Sequence, residues 1–340
     1  MENNIVNNLD NTRENHTMIV NKEISYDFEN FNSRQFPQIV QITITNVCDM
    51  SCSHCPHSSY KKEAGYTPKF MDMSIYKKIV DEMKDYKDST LRIFGWGEAL
   101  LHKDITNMIE YASNNGVFTN LITNGLQLNA KKSTELINAG LDVLEVSIDA
   151  YTKETYSKTR GSERNFDIVK NNVKTFISLR EQLSGHAYVN VSIIDQPLAK
   201  PEVEQFKKYW SEISDDVILR KFHDFMGYAK DKDHITLPKR HPCRCLWARF
   251  NITSDGLVSV CFNDWHNKSI IADIKDENTT IKNVWQGKLY SELRQSHLDG
   301  NPKGICKNCN DWISASWEMP YERMLEKSKL TINQRKELKK

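Results

Sequence analysis

The chain has 340 residues, enough for one large domain or two, and its 46 Lys plus Arg nearly balance 45 Asp plus Glu. A net charge near zero gives no electrostatic case for a nucleic-acid or membrane-surface partner, and no apolar run reaches the length of a transmembrane helix. The opening MENNIVNNLDNTRENHTMIV lacks the apolar stretch of a signal peptide, so a cytoplasmic location is expected.

Residues 1–37 are polar and without clear period, and read as a lead-in whose composition is compatible with disorder. From there strand-like and helix-like stretches alternate. Strands are expected at 39–46, 90–95, 117–124, 141–149, 188–195 and 216–222, with helices around 74–86, 104–114, 130–138, 165–183 and 201–213. Six such units imply a parallel α/β sheet. Its strands are not apolar throughout. Leu144, Val146 and Ile148 oppose Glu145, Ser147 and Asp149, and Val189, Val191 and Ile193 oppose Asn190 and Ser192. Strands buried on both faces are usually apolar on both. One polar face suggests a partial (βα)6, TIM-like barrel over 38–235 with a wet concave side, suited to a large polar ligand.

After residue 235 the character changes. ARFNITSDGLVSVCF reads as a β-hairpin turning at Asp255-Gly256, 279–298 as helical, and GICKNCNDW closes a cysteine group. A small hairpin/helix domain is expected over 236–315, followed by a charged helical tail over 316–340.

In a reducing compartment, eight clustered cysteines point to metal or catalysis rather than disulfides. The first group, CDMSCSHC, places Cys48, Cys52 and Cys55 just past the first strand, at the end where parallel sheets carry their sites. Zinc needs a fourth ligand, which His54 or His57 offers. An iron–sulfur cube on three thiolates instead leaves one iron open.

A C-x3-C-x2-C loop after the first strand of a six-unit βα chain resembles the radical S-adenosylmethionine (SAM) enzymes, over about 38–222. The resemblance implies a [4Fe–4S] cluster on Cys48, Cys52 and Cys55. Its open iron would bind SAM, and reduction would yield a 5′-deoxyadenosyl radical that removes hydrogen from a C–H bond. Weaker matches follow in order. Trp96-Gly97-Glu98 resembles the segment that meets the SAM amino group, with Trp for the first glycine of the family's pattern and Ala99 where proline is common. Thr123 and Asn124 match the end of the third strand. Ser147, Asp149 and Ser192 fall in the region that holds the ribose, and Arg160 in YSKTRG is similar to a residue that meets the SAM carboxylate.

The second group, C-x17-C, x44, C-x2-C, resembles the SPASM/twitch extension of these enzymes. Cys243, with Trp247 four residues on, is preferred over Cys245. Cys243, Cys261, Cys306 and Cys309 would then hold a second [4Fe–4S] cluster in the shorter twitch form. An all-cysteine structural zinc site is the competing reading of the same spacing.

The layout is similar to twitch-type dehydrogenases that oxidise an aminocyclitol alcohol, which implies a small polyol, sugar or aminocyclitol substrate. The auxiliary cluster would accept an electron as a secondary alcohol becomes a ketone, and a flavodoxin- or ferredoxin-type protein would supply reducing electrons. Arg220, on the polar face of the sixth strand, is the candidate for holding the substrate oxygen. An epimerase of a sugar or peptide with Cys245 as hydrogen donor, a peptide-modifying maturase, and a non-catalytic zinc-binding module remain alternatives.

Overall fold

The computed structural model describes residues 35–222, 225, 240–313 and 327–337. Most of the lead-in, the expected boundary between 235 and 236 and much of the tail therefore lie outside the described residues. The strands are β1 (Ile39–Ile42), β2 (Thr90–Ile93), β3 (Phe118–Thr123), β4 (Val143–Ser147), β5 (Tyr188–Asp195), β6 (Asp216–Lys221), β7 (Arg249–Ile252), β8 (Leu257–Ser259) and β9 (Ile270–Asp273).

They form one sheet in the order β6-β5-β4-β3-β2-β1-β7-β8-β9. β1 to β6 run parallel, each beside the next. β6 and β9 are the two ends, so the sheet is open rather than a closed barrel. The hairpin does not stand apart from this sheet. β7 pairs in parallel with β1, Ile39 opposite Arg249 and Ile42 opposite Ile252, and only then does the chain turn back into β8 and β9. Otherwise β1 would be an edge with unpaired backbone groups.

The helices cover one side. Met73–Met83 buries Ile75, Tyr76, Ile79, Val80 and Met83, a stripe at helical spacing. Asn129 caps Ala130–Asn138 by accepting from Lys132 N, and Thr152 caps Lys153–Arg160 by accepting from Thr155 N. The latter ends on Gly161 at φ 91°, the left-handed position glycine adopts without strain. The expected helix over 279–298 is two, Ile281–Trp285 and Lys288–Leu298, parted at Gly287. A Cβ there would lie 2.9 Å from Asn283 O.

Val40, Ile42, Leu91, Ile93, Leu121, Leu144, Val146, Val189 and Val191 face the helices in the main core. On the other face Ile39, Val143 and Tyr188, with Phe118 against them, form a small separate apolar floor. Above it the concave face is polar and buried: Gln41, Arg92, Asn120, Glu145, Asn190 and Ser192. Among the described residues no helix is long and apolar enough to cross a membrane.

Candidate functional site

The loop after β1 is held from several sides. Asn46 Nδ2 donates to Thr67 O at 2.8 Å and its Oδ1 accepts from Lys69 N at 2.7 Å. Ser53 N donates to Thr159 O at 2.9 Å, and Glu98 N to Val47 O at 2.8 Å. This frame carries Cys48, Cys52 and Cys55 into one shielded pocket, where the thiols feel one another. Burial pushes Cys48 and Cys55 up to about 12 and raises Cys52 as well.

Three thiolates cannot share such a pocket unless a cationic centre accompanies them. Donors that favour thiolate are nevertheless in place. Backbone hydrogen bonds from Met50 and His57 serve Cys48 and Cys55, and Arg160 Nη1 lies 3.6 Å from Cys52 Sγ. The histidines are turned to other tasks. His54 Nε2 faces Asp149 at 3.5 Å and its Nδ1 lies 3.5 Å from Gln196 Nε2. His57 Nε2 pairs with Asn46 O at 2.9 Å. Three thiols, local N–H donors and an adjacent guanidinium fit an iron–sulfur cube with one open position better than a histidine-completed zinc.

Glu98, Thr123 and Asn124 come together. Thr123 Oγ1 donates to Glu98 Oε1 at 2.6 Å and Asn124 N to Glu98 Oε2 at 2.7 Å. Asn124 Nδ2 then reaches Asp49 in the cysteine loop at 2.7 Å. Burial pushes the Glu98 carboxyl up to about 7 despite these bonds. Gly97 is required by close approach: a Cβ would fall 2.5 Å from both Thr45 O and Val47 O. Trp96 stacks on Trp265 at 5.3 Å, and its Nε1 donates to Phe262 O at 2.7 Å. Tyr60 joins both rings, so aromatics link the first loop to the hairpin region.

Asp149 and Arg160, expected to serve different parts of one ligand, are bonded to each other. Asp149 has a positive φ of 58°, and its Oδ1 accepts from Ile194 N at 2.9 Å. Ser147 and Ser192 are neighbours in register across β4 and β5. Arg220 reaches across β5 and bonds Glu145 on β4.

Cys243, Cys261, Cys306 and Cys309 lie within electrostatic reach as one group. Cys245 sits inside it. A hydrogen bond with Cys243, followed by Arg249 and Arg92, holds the Cys245 thiol low, and the same bond and burial push Cys243 up. Asn263 N approaches Cys261 Sγ at 3.5 Å. Arg92 is a concave-face residue of β2, so the second group borders the polar face.

The Tyr60–Trp96–Trp265 contacts and the Asp49 and His54 contacts are absent from the sequence reading. Their partners lie up to 205 residues apart in the chain, and no local pattern marks them.

Residues 42–187 match the model of the radical SAM superfamily, and 243–310 that of an iron–sulfur cluster-binding domain, SPASM. The chain is 27% identical over 190 residues to GTP 3′,8-cyclase of Vibrio parahaemolyticus, covering 52% of this chain and 56% of that protein. It thus spans little more than half the length of that relative. Among solved structures, BtrN in complex with AdoMet and 2-DOIA matches with a TM-score of 0.53 at 16% identity, over 80% of this chain and 92% of BtrN. Streptococcus suis SuiB bound to precursor peptide SuiA matches with 0.61 at 15% identity, over 86% and 74%. These two likenesses are of fold.

Proposed function

We propose that this chain, which belongs to the radical SAM superfamily and carries a C-terminal SPASM domain, oxidises a secondary alcohol of a small polyol, sugar or aminocyclitol to a ketone. The observation that carries this reading is the buried polar concave face, whose Arg92 lies within electrostatic reach of Cys245 in the second group, while Arg160 stands beside Cys52 in the first and is bonded to Asp149 just past β4. With both clusters and SAM bound, the site at Cys48, Cys52 and Cys55 would supply a 5′-deoxyadenosyl radical and the one at Cys243, Cys261, Cys306 and Cys309 would accept an electron.

The chain's own residues then have these tasks. Cys48, Cys52 and Cys55 hold the first cluster. The Glu98–Thr123–Asn124 network fixes the Trp96-Gly97-Glu98 edge against it, toward the SAM amino group. Ser147 and Ser192 offer hydroxyls to the ribose, with Asp149 and Arg160 as a bonded pair that sets charge next to Cys52. Cys243, Cys261, Cys306 and Cys309 hold the second cluster. Arg220, kept in place by Glu145, orients the substrate oxygen. Net reaction at the substrate removes one hydrogen atom from carbon, the hydroxyl proton and one electron.

The place of Cys245 beside Arg92 supports a second reading, in which its thiol returns hydrogen to the substrate and the product is an epimer. Anaerobic reconstitution with a panel of polyols and short peptides tests the first reading. It expects about eight irons per chain, 5′-deoxyadenosine from SAM and reductant, and a ketone from a polyol. Solvent deuterium in a recovered epimer, lost in Cys245→Ala, selects the second.

A further inference from the structure

We infer that Asn190 and Glu145 form a clasp for two neighbouring hydroxyl groups of the substrate, an inference that rests on the polyol reading above. Asn190 is fully buried on the concave side of β5, and neither its Nδ2 nor its Oδ1 has a hydrogen-bond partner. Its register neighbour on β4 is Glu145. Arg220 places both Nε and Nη2 on Glu145 Oε1, while Oε2 has no partner at hydrogen-bond geometry and has the unpaired Ser192 hydroxyl as its polar neighbour.

Both side chains lie on the concave side of the sheet, buried beneath Arg220. Arg220 comes from β6 and reaches past β5 to β4, so its bridge to Glu145 crosses the strand that carries Asn190. The Arg220 side chain is 34% exposed while that of Glu145 is 1% exposed. Solvent therefore meets the cation, and the carboxylate and carboxamide lie beneath it. On this same face lies the apolar floor of Ile39, Val143 and Tyr188, which has no polar atom to offer except the Tyr188 hydroxyl, directed at Asp216.

A buried carboxamide with both ends unpaired is unfavourable, and native interiors keep one where water or a ligand completes it. Side by side, Asn190 and Glu145 present an amide nitrogen with two N–H donors, one amide acceptor and one carboxylate acceptor. Two vicinal hydroxyls satisfy all three atoms at once: their oxygens accept from Nδ2, and the two O–H groups donate to Oδ1 and Oε2. An amine in place of one hydroxyl is accommodated by the carboxylate. A single isolated alcohol leaves an atom unpaired.

The test compares the anaerobically reconstituted, SAM-loaded wild type with Asn190→Leu and Glu145→Gln by thermal unfolding and calorimetric titration. The probes are myo-inositol, glucose and glucosamine, with cyclohexanol as the single-hydroxyl control. The clasp requires that at least one polyol raises the wild-type melting temperature and cyclohexanol does not. It also requires a Kd weakened roughly tenfold or more in each variant. Without polyol, Asn190→Leu is expected to melt at or above the wild-type temperature, because an unpaired polar group has been removed.

A lower melting point for ligand-free Asn190→Leu, with polyol affinity unchanged, assigns Asn190 to an internal water and overturns the clasp. So does wild type that ignores every polyol or binds cyclohexanol equally well. Deoxyadenosine formation on the same samples reports the radical chemistry separately. Polyol binding lost in the variants without ketone formation retains the clasp and rejects the oxidation.

Discussion

Arg160 Nη1 stands 3.6 Å from Cys52 Sγ, while Nη2 of the same guanidinium is bonded to the Asp149 carboxylate. One buried cation thus ties the end of the helix Lys153–Arg160 to the end of β4 and to the first cysteine loop. Arg160→Met leaves the buried Asp149 with the Ile194 N–H and His54 but without its guanidinium, a change that costs about 3 kcal/mol. Urea unfolding is expected to show this loss, and iron retention at the first site to fall. The double variant with Asp149→Asn is expected to recover part of the stability but not the iron. Equal stability of Arg160→Met and wild type contradicts the pairing.

Glu98 sets a pH dependence. Burial pushes its carboxyl up to about 7, against hydrogen bonds that favour the charged form. The folded chain therefore keeps this proton at a pH where the unfolded chain has released it. The stabilisation is fully present below about pH 4.5 and is lost as pH rises through about 7, for a total of about 3 kcal/mol. Measured as wild type minus Glu98→Gln, unfolding free energy is expected to fall between pH 5 and 8. A flat difference across that window shows that the carboxyl titrates normally.

The sequence displays the period of each strand but not its neighbour. The span 188–195 and the alternation around Glu145 are readable because one face packs on helices and the other does not. Cys48, Cys52 and Cys55 are readable because they share one loop. The pairing of β7 with β1 joins residues about 210 apart, and nothing in IVQI or RFNI names the other. β9 was missed because Ile270–Asp273 is short and half-buried. The Asp149–Arg160 bond depends on Asp149 adopting a positive φ, which a side-chain alternation argument does not anticipate.

Trp265 holds the two cysteine regions together through Trp96 and Tyr60. Trp265→Ala removes a buried ring and is expected to cost about 3–5 kcal/mol. Iron loss is expected to be larger than in Trp265→Phe, which keeps an aromatic face. Equal melting temperatures for wild type and Trp265→Ala would show that the stack contributes nothing.

Single Cys→Ser variants separate ligands from neighbours. Cys243, Cys261, Cys306 and Cys309 variants are each expected to lose about four irons, and Cys245→Ser to keep roughly all eight. Iron analysis with absorption near the thiolate-to-iron band reads this. Loss of iron from Cys245→Ser but not from Cys243→Ser reverses the assignment, which the hydrogen bond between the two thiols makes a sharp comparison.

The most direct measurement uses a perdeuterated polyol that binds the reconstituted protein, incubated with SAM and reductant without oxygen. The account expects deuterium in 5′-deoxyadenosine and a ketone product formed in matching amount. Deoxyadenosine free of deuterium, or labelled deoxyadenosine with a product that has gained solvent hydrogen and undergone no net oxidation, contradicts it.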